Sequence, residues 1–78
     1  MDQKKFLILV SKSLGVKLDK ISLNLKFNEI DEWDSIGHMT LISGLEDGFE
    51  ISFETDDIVD FSSYKKGAEI LSKYKIVI

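Results

Sequence analysis

Apolar residues recur at helical spacing in several parts of the chain, and these parts define the predicted helices. The first run extends from Lys4 to Leu14, and Gly15 follows it as a C-terminal cap. A second helix begins at Asp34 or Ser35, because either side chain can accept a hydrogen bond from the free N–H groups of a first turn. The core-facing stripe of this helix consists of Leu41, Ile42, Leu45 and Phe49.

The C-terminal part of the chain predicts two more helices. Thr55 is a candidate N-cap for a short helix through Val59, and Ser62 is a candidate N-cap for the final one. The inner face of the final helix is predicted from its apolar residues, Tyr64, Ala68, Ile70 and Leu71. The apolar residues 76–78 either lie against the bundle or fray, and the sequence leaves both open.

Residues 16–34 allow two interpretations. Four apolar residues there alternate with polar ones, as in a half-buried strand: Ile21, Leu23, Leu25 and Phe27. No second alternating run of that quality occurs in the sequence, and an isolated strand would leave its hydrogen-bonding groups unsatisfied. We therefore expect a long ordered loop that tucks these side chains into a helical core. The predicted fold class is all-α, a small four-helix bundle with a long first loop.

Length and composition limit the class of protein. The chain has 78 residues, 44% of them hydrophobic, which predicts a single globular domain over 1–78. No apolar run reaches the ~20 residues that span a bilayer, and no small-residue cleavage site follows the N-terminus. We therefore expect a cytoplasmic monomer without membrane contact. Cysteine is absent, which excludes disulfides, thiolate metal sites and a cysteine nucleophile.

Charge is strongly segregated along the chain. The net charge is −4, and 11 acidic residues but no lysine lie between Glu29 and Asp60. The acidic segment creates a local negative field, which attracts basic partner surfaces and repels nucleic acid. The chain also has no arginine, so it lacks the bidentate group that is best suited to recognise bases. The alternative is a surface that only keeps the protein soluble. Crowding also predicts that folding raises the pKa of several carboxylates, for example among Asp56, Asp57 and Asp60.

Conventional catalytic and metal-binding patterns are missing. His38 is the only histidine, so a two-histidine metal site cannot form, and no glycine-rich phosphate loop or calcium loop occurs. Ser35 and His38 are three residues apart, but the helical angle turns His38 toward the core, where no pocket or orienting partner is evident. We therefore expect neither a metal site nor an enzyme.

The run 33–39 reads Trp-Asp-Ser-Ile-Gly-His-Met and stands at the start of the predicted second helix. It resembles the acyl carrier protein family, whose mark is an Asp-Ser-Leu tripeptide that opens the second helix. The resemblance covers essentially the whole chain, and it is strongest to members with a Trp-Asp-Ser-Leu-Gly-His-Met run. The chain departs from the family in having Ile36 for leucine, and Glu32 and Trp33 where many members have Leu and Gly.

The resemblance implies a covalent cofactor. A separate phosphopantetheinyl transferase would move 4′-phosphopantetheine from coenzyme A to Ser35, and the thiol of this arm would hold acyl groups as thioesters. Asp34 would hold the helix start or help to place the metal ion of the transferase. The implied partners are acyl-loading and acyl-processing enzymes of fatty acid, polyketide or related biosynthesis. An aminoacyl or peptidyl carrier and an unmodified helical adaptor remain as alternatives.

Four residues of the second helix are candidate partner contacts. Ile36 and Met39 lie beside Ser35 on the predicted outer arc and form an exposed apolar pair; the alternative is packing against the first loop. Glu46 and Asp47 would pair with basic residues of partner enzymes; the alternative is a solvated helix face. Trp33 is expected to pack the end of the loop onto the bundle.

Overall fold

A computed structural model describes residues 2–22 and 24–76, which form four α-helices and one short 3-10 turn. The elements are α1 (Asp2–Leu14), the 3-10 turn (Leu18–Lys20), α2 (Ser35–Phe49), α3 (Thr55–Asp60) and α4 (Tyr64–Lys73). The predicted all-α class and four-helix order are confirmed. Over the described ranges, none of the helices has the length and apolar character needed to cross a membrane.

The core lies where the faces predicted to be apolar converge. Phe6, Leu41, Leu45 and Leu71 are completely buried, and Phe6 stacks on Tyr64 with ring centroids 4.5 Å apart. Burial of each such side chain stabilises the fold by about 1.5–3 kcal/mol. Phe53 and Phe61 are also buried, whereas Phe49 of the predicted core stripe is only partly buried at the edge of the core.

Two glycines of α2 lie where this helix packs on α1. A Cβ atom at Gly48 would lie 2.5 Å from Leu9 Cδ1, and one at Gly44 would overlap the hydroxyl of Ser13. Glycine in a helix costs about 1 kcal/mol relative to alanine. At these two positions glycine lowers the helix propensity of α2 but allows α1 and α2 to approach closely.

The described part of the first loop is fastened to the start of α4. Phe27 N donates to Ser62 O at 2.9 Å, and Tyr64 N donates to Leu25 O at 2.9 Å. These bonds give an isolated antiparallel bridge in place of a strand, and they satisfy backbone groups of the alternating segment. Leu25 is buried, while Phe27 stays 39% exposed.

Ile21 and Leu23 are the other apolar residues of the alternating segment. Ile21 is partly buried against the core, and Leu23 lies outside the described residues. At the C-terminus Ile76 is buried, so this residue lies against the bundle. Val77 and Ile78 lie outside the described residues.

Two of the predicted N-caps are wrong by one residue. Thr55 is the first residue of α3, whose N-cap is Glu54 and has no side-chain cap bond. The cap of α4 is Ser63, whose Oγ accepts from Lys66 N at 3.0 Å. Ser62 precedes the cap, and its carbonyl oxygen accepts from Phe27 N of the first loop. Gly15 has a φ of +70°, which confirms it as the cap of α1.

Candidate functional site

The start of α2 is built by three residues with separate roles. Asp34 is the N-cap, and its Oδ1 accepts from Gly37 N at 2.8 Å. Ser35 is the first helical residue and is exposed. Of the two candidate caps, the structure therefore selects Asp34, and the hydroxyl of Ser35 is not needed to cap the helix.

Gly37 allows the preceding loop to approach the first turn of α2. A Cβ atom at this position would overlap the backbone carbonyl oxygen of Glu32 and would lie 3.4 Å from Asp34 Oδ1. The obstacle is main chain, so a side-chain rotation cannot relieve it. The glycine of the 33–39 run thus has a local steric reason, which the sequence pattern did not reveal.

Trp33 anchors the loop that leads into the site. Its side chain is completely buried, and its ring makes edge contacts with Phe27 and Phe61, at centroid distances of 6.4 and 6.2 Å. Its main-chain oxygen accepts from Asn28 N at 2.7 Å. The expectation that Trp33 packs the loop end onto the bundle is confirmed.

His38 has two orienting partners, which corrects the expectation that it has none. Trp33 Nε1 donates to His38 Nδ1 at 3.0 Å, and His38 Nε2 lies 2.9 Å from Ile58 O. Indole can only donate and a carbonyl can only accept, so these partners assign the proton of a neutral imidazole to Nε2. Both ring nitrogens are engaged, and neither is available to take a proton from Ser35.

An apolar cleft opens beside His38. It has a volume of about 210 Å³ and is lined by Phe27, His38, Ile58, Val59, Phe61 and Ser62. Val59 belongs to α3 and is 75% exposed. The first loop, α2, α3 and the segment before α4 therefore all contribute to this cleft.

The outer face of α2 is apolar beside Ser35. Ile36 is 79% exposed and Met39 is 53% exposed, so neither packs against the first loop. Together with Ser35, Thr40 and Ser43 they line a shallow surface depression. The exposed apolar pair that was expected from the sequence is present, and its role in partner binding stays a prediction.

Glu46 and Asp47 differ although they are adjacent. Asp47 is exposed, whereas Glu46 is partly buried and its Oε2 accepts from Phe53 N at 2.8 Å. Glu46 therefore fastens the connection between α2 and α3, a role that the sequence did not suggest. Partner binding through either residue stays a prediction.

Asp57 is a buried carboxylate that joins α3 to α4. It is 5% exposed; Oδ1 accepts from Lys73 Nζ, and Oδ2 accepts from the Tyr74 hydroxyl at 2.5 Å. The hydrogen bond from Lys73, followed by that from Tyr74, lowers the pKa of Asp57. The same contacts with Asp57 raise the pKa values of Lys73 and Tyr74. The expectation of raised carboxylate pKa values is wrong for this residue, because the decisive neighbour is a lysine from outside the acidic segment.

Comparisons with known proteins add no relative, since no family model matches the chain and no curated protein matches its sequence. Within residues 2–22 and 24–76, no cluster of three or more His, Cys, Asp or Glu residues could hold a metal ion. The fold and the site define a small helical bundle that presents an exposed serine at the N-terminus of its second helix.

Proposed function

We propose that this chain is an acyl carrier protein whose Ser35 bears a 4′-phosphopantetheine arm. The observation that carries the proposal is the setting of Ser35, which is exposed, follows the Asp34 cap and occupies the first position of α2. Free backbone N–H groups and the positive end of the helix dipole favour a phosphate attached at this position. The proposal is also supported by the resemblance of the 33–39 run to the carrier family.

The residues present fit the chemistry of the arm. The Ser35 oxygen would attack the phosphorus that carries the pantetheine and form a phosphodiester with it. The pyrophosphate bond of coenzyme A would break, adenosine 3′,5′-bisphosphate would leave, and the hydroxyl proton would pass to a base of the transferase. His38 could not act as that base, because both of its ring nitrogens are engaged. When bound, the arm supplies the thiol that holds an acyl group, which agrees with a chain that has no cysteine.

Three surface features support a carrier role. The exposed pair Ile36 and Met39 would enter an apolar recess on the transferase or on an acyl-processing enzyme. The exposed carboxylate of Asp47 would meet basic partner residues at the far end of α2. The cleft beside His38 would shelter an apolar cargo chain from water.

The test is covalent modification of the apo-protein. Incubation with coenzyme A, magnesium and a broad-specificity phosphopantetheinyl transferase should add one phosphopantetheine, which fragment mass spectrometry should locate on Ser35. Ser35→Ala should fold and gain no mass. Ser72→Ala removes another exposed hydroxyl, on α4, and should be modified like the wild type.

The outcome also separates the alternatives. Modification of a different serine would rule out Ser35 as the attachment site. No modification by several transferases would rule out the carrier function and leave the unmodified adaptor. Intact mass of the protein from its own source would distinguish an acyl cargo from an aminoacyl or peptidyl cargo on the same arm.

A further inference from the structure

We propose that His38 is a positioning residue for Ser35, an inference that rests on the proposed attachment function. One imidazole connects the buried tryptophan before the site to the backbone of α3. Ser35 lies in the chain between the two residues of that connection, Trp33 and His38. The hydrogen bond between the Trp33 and His38 side chains therefore closes the turn that presents the Ser35 hydroxyl.

The first part of the connection concerns Trp33. Its indole N–H is carried by a completely buried side chain, and a buried donor requires an acceptor. His38 Nδ1 is that acceptor at 3.0 Å, and the two rings are nearly parallel, with an interplanar angle of 15°. Trp33 directly precedes the Asp34 cap. The bond therefore restrains the residue directly before the cap, and with it the start of α2.

The second part concerns α3. This helix has six residues, so the carbonyls of its last turn lack partners within the helix. His38 Nε2 donates to one of them, Ile58 O, at 2.9 Å. The imidazole thus ties the first turn of α2 to α3. It can make both bonds at once only in the neutral form with the proton on Nε2.

The backbone closes the same turn. His38 N donates to Asp34 O at 2.8 Å, so the peptide unit of His38 and its side chain both restrain the segment that contains Ser35. Group transfer to the hydroxyl needs the oxygen aligned with the phosphorus, and a displacement of about 1 Å can lower the rate about 100-fold. Loss of the imidazole should therefore reduce kcat for modification. It should leave KM unchanged, because the docking pair Ile36 and Met39 is untouched.

Three substitutions separate the two bonds. His38→Asn places an amide oxygen close to the position of Nδ1 and can keep the Trp33 bond. His38→Gln places an amide N–H close to the position of Nε2 and can keep the Ile58 bond. His38→Leu keeps neither. The measurements are kcat and KM for modification of Ser35 by a phosphopantetheinyl transferase, together with hydrogen exchange of the indole N–H.

We expect His38→Leu to lower kcat by about tenfold or more, with KM within about twofold of the wild type. His38→Asn should recover most of kcat and should protect the indole N–H, whereas His38→Gln should recover less of kcat and should leave the indole N–H unprotected. Val10→Ala, a buried substitution in α1, is the control for general loss of stability. It should leave kcat unchanged at a temperature where it and His38→Leu are both folded.

The inference fails if His38→Leu keeps the wild-type kcat, or if Val10→Ala with an equal melting temperature loses as much. Should His38→Leu not fold, equal kcat values for the Asn and Gln variants would overturn it. These outcomes differ from failure of the carrier function, in which the wild-type protein itself is not modified on Ser35 and both proposals fall.

Discussion

Replacement of Gly37 by alanine tests how the loop and α2 meet at the site. Two effects of opposite sign compete. Alanine gains about 1 kcal/mol of helix propensity over glycine. Its methyl group would, however, overlap the backbone carbonyl oxygen of Glu32. Overpacking of this kind costs about 1–3 kcal/mol, and a main-chain obstacle places Gly37→Ala near the upper end of that range.

The balance predicts a net loss of about 2 kcal/mol in the free energy of unfolding of Gly37→Ala. For a domain of 60–100 residues, 1 kcal/mol corresponds to about 4–8 °C in Tm, so the melting temperature should fall by about 8–16 °C. The backbone shift also moves Asp34 and Ser35. Modification of Ser35 should therefore slow even at a temperature where the variant is folded.

Gly44→Ala is the matched control in the same helix. It brings the same gain in propensity, but its methyl group meets the hydroxyl of Ser13, which can rotate away. Its stability should lie within about 1 kcal/mol of the wild type, and adding Ser13→Ala should make it more stable. Urea unfolding followed by helical circular dichroism measures both variants. If Gly37→Ala proves as stable as Gly44→Ala, the close approach of the Glu32 carbonyl is not a constraint.

Three further predictions follow from particular contacts. The pKa of Asp57 is lower in the folded protein than its ordinary value of 3.8, so ionised Asp57 contributes stability at pH values above 3.8. This stability is lost as the pH falls through the folded-state pKa. The difference in Tm between wild type and Asp57→Asn should therefore shrink in acid, and a constant difference would contradict the ion pair. Glu46→Ala should lower the free energy of unfolding in urea by about 1–3 kcal/mol, because it removes the acceptor of Phe53 N. Asp47→Lys should leave stability unchanged and slow association with the transferase at low salt. Equal stability losses in the two variants would refute this division of roles. In ¹⁵N NMR spectra the neutral imidazole of His38 should show the Nε2–H tautomer, and an Nδ1–H signal would contradict the Trp33 bond.

The helices were predictable because their signals are local. Apolar residues at three- and four-residue spacing gave the core stripe of α2, of which Leu41, Ile42 and Leu45 are buried. The exposure of Ile36 and Met39 follows from the same helical angle. A loop in place of a strand around Leu25 could also be inferred, because an alternating segment without a partner strand must satisfy its backbone groups elsewhere. Only the packed structure shows that these backbone groups are paired at the start of α4. It also shows that the cap of α4 is Ser63 and not the predicted Ser62.

The side-chain partners required the tertiary structure, because they join residues that are distant in sequence. Asp57 looked like one more acid in a repelling group, yet Lys73 and Tyr74, 16 and 17 residues away, lower its pKa. Ile58, which orients His38, is 20 residues from it. The sequence by itself determined the helical class, most of the core and the candidate Ser35, since each depends on residues within one or two turns. Only the folded chain decided which polar groups meet, because hydrogen bonds and charge pairs depend on distances of a few ångströms that local spacing does not specify.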